Sequence, residues 1–306
     1  MTSFQGLPRP GPPPDRGPGP ALRAMDRLAA SSRADGVIDA VRDAVRRVPL
    51  GAARDVLHGR PLGHPAHPLL VQLPLGAWLS AALLDLTPGG RRPARLLVGA
   101  GLAVAGPAAV SGWVDWAELR RPQQRVGLVH AAANITGVLC YAVSLRHRCL
   151  GRYVRGRLWG FGGLAAVGVG GAIGGHLAYR MAAGPDHAEP VAVLVPPGWH
   201  RVEELPEPLD LPEGRPAPAR VGGMPVVVVR TGADDTAPAV LAGRCAHQDG
   251  PLADGEVVDG CLVCPWHGSH FRLDDGWNVT GPATAPQPAF DTRLVDGHLE
   301  ARLRTP

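Results

Sequence analysis

The sequence predicts an all-α four-helix transmembrane bundle followed by a small all-β domain that holds a metal centre. Three observations predict it. Four apolar stretches of about 18 to 20 residues lie between Leu69 and Leu177, each near the length that crosses a bilayer core as helix. Prolines at 185, 190, 196 and 197 end the helical pattern, and short alternating runs follow. Within those runs stand Cys245-Ala-His247 and Cys264-Pro-Trp-His267, two short ligand pairs separated by 16 residues.

At 306 residues the chain has room for two domains. All 31 basic residues are arginine, the net charge is +4, and the 33 prolines and 41 glycines are spread along the chain. The arginines fall in short groups between apolar runs, with no extended basic face interleaved with aromatics, which argues against nucleic acid as a partner. Residues 1–35 are expected to form a disordered Pro/Gly-rich N-terminus, since Met1 to Pro20 holds seven prolines and almost no large apolar side chain to offset the entropy of ordering. Residues 36–60 are expected to form an amphipathic helix lying on the membrane or on the bundle. Val37, Val41, Val45 and Val48 recur at helical spacing, opposed by Asp39, Arg42, Asp43, Arg46 and Arg47.

The transmembrane domain is assigned to residues 61–184, with spans over Leu69 to Leu86, Leu96 to Val114, Val126 to Leu145 and Leu158 to Leu177. Arginine groups punctuate these stretches. The fourth carries eight glycines, and Gly163, Val167, Gly171 and Gly175 are spaced to let helices approach closely. The competing reading is a soluble Ala/Gly-rich bundle, and uninterrupted apolarity over four stretches argues against it. If the helices run up and down, His64, His67, Asp115, His130 and His176 share one membrane face. Ionisable groups in or beside spans form a site hypothesis because burying them in lipid is costly. A haem, a metal or a quinone at His64, His67, His130 and His176 is one reading. The other is that these histidines cap helix starts and bond backbone carbonyls.

The β-domain is assigned to residues 190–306. Arg220 to Val229 and Leu294 to Leu303 read as strands, Pro206, Pro208, Pro212, Pro216 and Pro218 mark a loop, and the ligand loops, Cys245 to about Pro288, form a subdomain inserted between strands. Two thiolates and two imidazoles in two short loops suit a [2Fe-2S] cluster in which one iron takes both cysteines and the other both histidines. They also suit a tetrahedral zinc ion. The five cysteines (Cys140, Cys149, Cys245, Cys261, Cys264) are too few and too irregular for a disulfide framework. Cys261 alternates as a strand residue entering the second loop and is expected to be a buried thiol.

Gly243-Arg-Cys-Ala-His247 and Cys264-Pro-Trp-His-Gly-Ser269, with Gly255 between them and Gly281-Pro-Ala-Thr-Ala-Pro-Gln-Pro288 after them, closely resemble the Rieske family. Gly63-His-Pro-Ala-His-Pro-Leu-Leu70, Pro74-Leu-Gly76 and Leu83-Leu-Asp85 resemble small bacterial four-helix membrane domains of the DUF2231 type over about Asp39 to Asp186, a family whose members occur fused to Rieske domains. His64, His67 and Asp85 match that pattern, with Asp85 at the opposite membrane face from the histidines. The Rieske resemblance implies a [2Fe-2S] cluster on Cys245, His247, Cys264 and His267, covered by the proline-rich segment, with Ser269 donating a hydrogen bond to it. It places His247 and His267 at an exposed tip where a redox partner protein docks, rimmed by Trp266.

High-potential members add one cysteine to each loop, and Gly250 and Trp266 stand at those positions here. Phe271 replaces their tyrosine donor. Only 39 residues follow His267 and they hold no two-His, one-carboxylate triad of the kind that binds mononuclear iron in oxygenases. No catalytic residue is therefore assigned. The implied role is electron transfer as a component of an oxidoreductase system, with a second redox group or quinone at the membrane histidines. The other role is a membrane-anchored Fe–S redox sensor or assembly factor. Arginines near the span ends are balanced between the two faces. Cluster assembly in the cytoplasm, with no twin-arginine pair immediately before the last span, places the β-domain on the cytoplasmic side of the cell membrane.

Overall fold

The computed structural model describes residues 19–205, 210–232 and 237–304. The expected disorder over residues 1–18, and the loop positions Pro206 and Pro208, lie outside the described residues.

Helix begins earlier than the expected boundary at residue 35. Helix α1 spans Pro20–Ala30, with Pro20 at its first position, where a missing N–H costs nothing. Its Met25, Leu28 and Ala29 pack against Val126, Ile173 and Leu177, so a short apolar stripe orders a segment whose composition alone reads as disorder. The expected single helix over 36–60 is two: α2 (Asp35–Arg47) and α3 (Ala53–His58), joined through Gly51 in a left-handed conformation. The face of α2 is also rotated from the valine register. Ile38 is fully buried with Trp116 and Ala117, flanked by Val41 and Val45, while Val37 and Val48 are exposed. Asp35–Arg125, Asp39–Arg121 and Arg46–Glu118 ion pairs fix α2 to the end of the bundle.

Four apolar helices long enough to cross a membrane follow. The first is α4 (His67–Leu70) and α5 (Gln72–Asp85), interrupted at Val71. The others are α6 (Arg91–Trp116), α7 (Arg121–Cys149) and α8 (Tyr153–Gly175), the last continuing as one π-helical turn, His176–Arg180. Leu73, Leu79, Leu83, Leu96, Leu139, Leu158 and Val169 all face outward. A soluble bundle does not present such a belt, whereas lipid requires it. Small residues let α7 and α8 touch: a Cβ on Gly137 would lie 2.4 Å from Val167, and one on Gly163 would lie 2.9 Å from the Tyr141 ring.

At one end of the bundle Arg148 of α7 donates to both carboxylate oxygens of Asp85 on α5, at 2.8 Å to Oδ1, and its Nε donates to Ser144. Both charged side chains are buried. Tyr141 stacks on Trp78 above them, with ring centroids 4.1 Å apart.

After a short helix α9 (Val191–Leu194) the chain forms two antiparallel sheets. The first has six strands, β1 (His200–Arg201), β2 (Ala217–Val221), β3 (Met224–Val229), β4 (Ala239–Ala242), β9 (Ala289–Val295) and β10 (His298–Leu303), in the order β1-β10-β9-β4-β3-β2. The second runs β5 (Glu256–Val258), β6 (Cys261–Val263), β7 (His270–Arg272) and β8 (Asn278–Thr280) in sequence order. It is inserted between the neighbours β4 and β9. Two segments expected as single strands are hairpins. Gly222 and Gly223, both at positive φ, turn β2 into β3, and Asp296 and Gly297 turn β9 into β10. Pro218 lies within β2, which is tolerated because β2 is an edge strand.

The inserted sheet is tied to the helices. Asp55 of α3 accepts from the Thr280 hydroxyl and the Gly281 N–H, each at 3.2 Å, and Arg60 reaches the Asn278 carbonyl. His187, in the connection between the two domains, donates its N–H to the Ala246 carbonyl at 2.9 Å.

Candidate metal centre

Two near-copies of one loop hold the four residues expected as ligands, Cys245, His247, Cys264 and His267. In the first, the Cys245 N–H donates to the Gly250 carbonyl at 2.8 Å, and the Asp249 N–H returns to the Cys245 carbonyl at 2.9 Å. In the second, the Cys264 N–H donates to the Ser269 carbonyl at 2.9 Å, and the Gly268 N–H returns to the Cys264 carbonyl at 3.0 Å. Asp249 and Gly268 occupy equivalent left-handed positions at φ 63° and 69°. The closed loops turn the N–H groups of His247 and Gln248 toward the Cys245 sulfur and those of Trp266 and His267 toward the Cys264 sulfur, an arrangement that favours thiolate.

The four donors form two pairs. The sulfurs are close enough to hydrogen-bond to each other. That contact, with burial, pushes the Cys245 thiol up, while the Cys245 hydrogen bond draws Cys264 down to about 6. A metal bound at both sulfurs would displace the proton that they share. The His247 and His267 rings stand 5.0 Å apart at 86°. Burial, reinforced for His247 by its imidazole neighbours, lowers both below the usual histidine range, which keeps neutral rings available as ligands. A sulfur pair beside an imidazole pair suits a two-iron cluster with mixed ligation.

The covering segment is locked onto both loops. Ser269, fully buried, accepts the Ala283 N–H at 3.1 Å, so its own proton stays available to a cluster sulfur. Asn278 donates to the Ala283 carbonyl at 2.9 Å. Gly281, at φ 98°, lies against the second loop, where a Cβ would stand 2.8 Å from the Gly268 carbonyl oxygen. Gln287 accepts the Ala246 N–H at 3.0 Å and donates to the Ala242 and Arg244 carbonyls. Phe271 is fully buried in the core beneath, with no hydroxyl to offer. Cys261 is buried in β6, as its alternation implies.

Gly250 marks a close approach: a Cβ there would lie 2.9 Å from the Cys264 sulfur and 3.3 Å from the Trp266 ring. Gly250→Ala is expected to strain the ligand loop, since overpacking costs about 1–3 kcal/mol. The purified variant should retain less iron per chain than the parent. Unchanged iron content would refute this reading.

The histidine tip does not project freely into solvent, contrary to the sequence expectation. His247 and His267 are half-buried. His58 and His187 act electrostatically on His247, and Glu118 and Arg46 on His267, so the tip is turned onto the end of the helical bundle. Trp266, its ring centroid 6.3 Å from that of His267, remains 48% exposed.

Of the membrane-face residues, the structure brings together His67 and His130, with centroids 6.2 Å apart. Their Nδ1 atoms sit 2.8 and 2.7 Å from the Ala108 and Gly170 carbonyl oxygens, so carbonyl bonding accounts for half of each ring. His64 is exposed and bonds the Pro65 carbonyl, and among the described residues no hydrogen bond or ring contact joins His176 to the pair. Asp115 pairs at 2.8 Å with buried His58, a partner the sequence reading missed. His58 sits in a six-residue helix with no periodic signal. Gln287 was also missed as a functional residue, although it lies within the proline-rich motif.

Fold and site together define a protein with a helical membrane domain joined to a β-sheet iron–sulfur domain. The chain belongs to the Rieske [2Fe-2S] family, whose domain matches residues 202–291, and residues 63–187 match the predicted membrane protein family DUF2231. The anthranilate 1,2-dioxygenase ferredoxin subunit of Burkholderia cepacia is 31% identical over 105 residues, which cover 34% of this chain and 92% of the relative. Ferredoxin CarAc of Metapseudomonas resinovorans is 29% identical over 80 residues, covering 26% and 72%. Among solved structures, the ferredoxin of carbazole 1,9a-dioxygenase from Nocardioides aromaticivorans IC177 aligns over 34% of this chain and 99% of its own, at 22% identity and TM-score 0.31.

Proposed function

We propose that this protein carries single electrons between a redox partner protein and an acceptor met at the boundary between its two domains. The observation that supports this reading is the placement of His247 and His267 against the bundle end that carries His58, Asp115, His67 and His130. A [2Fe-2S] cluster bound at the four ligands supplies one-electron exchange. His247 and His267 would hold its outer iron, Cys245 and Cys264 the inner one. Their loops exclude water, and Ser269 supplies a hydrogen bond. By likeness to ferredoxins named for dioxygenase systems, the protein partner is a reductase or oxygenase component. It meets the centre over the exposed Trp266, beside the half-buried tip.

In its finer form the acceptor is a quinone or haem on the membrane face. His67 and His130 are the residues for it, because their rings meet inside the bundle with centroids 6.2 Å apart, each anchored to a carbonyl of a neighbouring helix and His130 also held by Asn134, whereas His64 is exposed and bonds only the adjoining Pro65 carbonyl. The domain carrying the cluster is proposed to face the cytoplasm, and cleavage by protease added outside intact spheroplasts would reverse that orientation.

The test is low-temperature EPR of the detergent-solubilised protein after dithionite reduction, with an optical spectrum of the same sample. A rhombic signal with the lowered average g of mixed ligation is expected, with reoxidation by an added one-electron acceptor. A protein containing zinc and no iron would overturn the reading. Soret absorption would assign haem, and extraction of bound quinone would assign that alternative. Ser269 supplies the one side-chain hydroxyl among the two positions expected to serve the sulfurs, Phe271 having none. The reduced cluster is therefore less stabilised, and a redox titration should place the potential toward the low end of the range of roughly −150 to +300 mV. A value above about +200 mV within that range would contradict this.

A further inference from the structure

We propose that the bundle end nearest the β-domain carries a binding site for one phosphate group, supplied by an anionic phospholipid of the adjoining leaflet. A cavity of about 300 Å³ opens there between the start of α7 and the π-helical turn after α8, lined by Arg120, Pro122, Gln123, Arg180 and Met181. It lies at the ends of two spans, where a lipid headgroup sits.

The charge at this end is unevenly satisfied. Arg46, Arg121 and Arg125 each hold a carboxylate, from Glu118, Asp39 and Asp35, at 2.6 to 2.7 Å. Arg120 holds none among the described residues. Arg180 has one ion pair, to Asp26 at 3.4 Å, with both side chains about half exposed. Two arginines therefore line one cavity with a single loose counter-charge, Asp26, between them among the described residues. Guanidinium is suited to phosphate, which it can bind through two parallel N–H bonds, and basic pockets between span ends are where anionic headgroups settle.

The remaining lining is preorganised. Gln123 is buried; its side-chain oxygen accepts the Arg120 N–H at 2.9 Å and its amide donates to the Met181 carbonyl at 2.8 Å. The cavity wall thus joins α7 to the end of α8 without needing a ligand to hold it open. Pro122 and Met181 give it an apolar side fit for the glycerol end of a lipid. Arg120 and Arg180 touch none of the cluster ligands, so the site is separate from the electron-carrying centre and its test does not depend on that reading.

The test compares the full-length protein with Arg120→Gln/Arg180→Gln in nanodiscs of phosphatidylcholine alone or with one fifth phosphatidylglycerol. Lipid retained after detergent extraction is counted by mass spectrometry, and the [2Fe-2S] visible spectrum and elution volume report folding. Retention of about one phosphatidylglycerol per chain, with at least a tenfold loss in the double variant and an unchanged spectrum, is expected. Inorganic phosphate titrated into phosphatidylcholine nanodiscs forms the second arm. Arginine-dependent thermal stabilisation by phosphate, without phosphatidylglycerol retention, would keep the phosphate site and make its source soluble. Equal retention of the two lipids, or of phosphatidylglycerol by parent and variant with no phosphate effect, would overturn the proposal. Where the double variant misfolds, Arg120→Lys and Arg180→Lys, which keep charge and lose the two-pronged geometry, should each show weakened retention; full retention in both would also overturn it.

Discussion

Cys264→Ser is expected to remove both irons together, taking iron content from two per chain to near zero and abolishing the visible and EPR signals. The Cys264 sulfur contacts that of Cys245, and a Cβ on Gly250 would stand 2.9 Å from it, so the group is closely packed within both loops. Serine oxygen is a harder ligand with a shorter reach, poorly matched to iron that prefers thiolate. Cys245 alone would then be left to hold the iron that the two cysteines would share, and a two-iron cluster would be lost as a unit. The loops should survive, because their four backbone hydrogen bonds do not involve the sulfurs. Circular dichroism close to that of the parent, with metal lost, is the expected pairing. Cys261→Ser, which changes a thiol in β6 outside the ligand set, should retain iron. Iron held by the Cys264→Ser protein, or lost equally from both variants, would contradict the ligand assignment.

Asp85→Ala is expected to cost about 3–5 kcal/mol, the effect of leaving one member of a buried ion pair without its partner. Arg148 has 1% of its side chain exposed and lies in a notch of α8, where a Cβ on Gly156 would stand 2.7 Å from its Cγ and one on Gly160 3.3 Å from Nη2. It cannot swing out without withdrawing from that notch. Arg157, 3.6 Å from Asp85, would add a second unbalanced cation. The single variant should aggregate on detergent extraction or unfold at markedly lower temperature. Asp85→Leu with Arg148→Met removes both charges and should recover much of the loss, because apolar replacements of similar volume are often neutral. A single variant as stable as the parent would show that the pair is not needed for assembly.

The iron–sulfur domain was legible because spacing carries chemistry: two cysteines and two histidines at fixed offsets have few alternative uses. The four spans were legible because apolar length is a direct measure of the bilayer. The lateral order of smaller elements was not. Val37, Val41, Val45 and Val48 present a plausible stripe, yet Ile38 took the buried position because the neighbouring Trp116 surface decides the rotation of α2. Arg220 to Val229 alternates through Gly222 and Gly223, so its hairpin turn is masked by flanking residues of the same type. His58 escaped notice because its role comes from Asp115, 57 residues away, and the covered histidine tip because packing between domains leaves no local pattern.

Four helices in the bilayer change how such a carrier meets its partners. A soluble ferredoxin samples the volume of its compartment, whereas a cluster tethered within a few tens of ångströms of the membrane searches a surface. For a partner confined to the same membrane, encounter is set by numbers per unit area, and tethering raises the effective concentration without any new contact. Dilution of the compartment leaves that traffic unchanged, while dilution of the membrane with added lipid slows it.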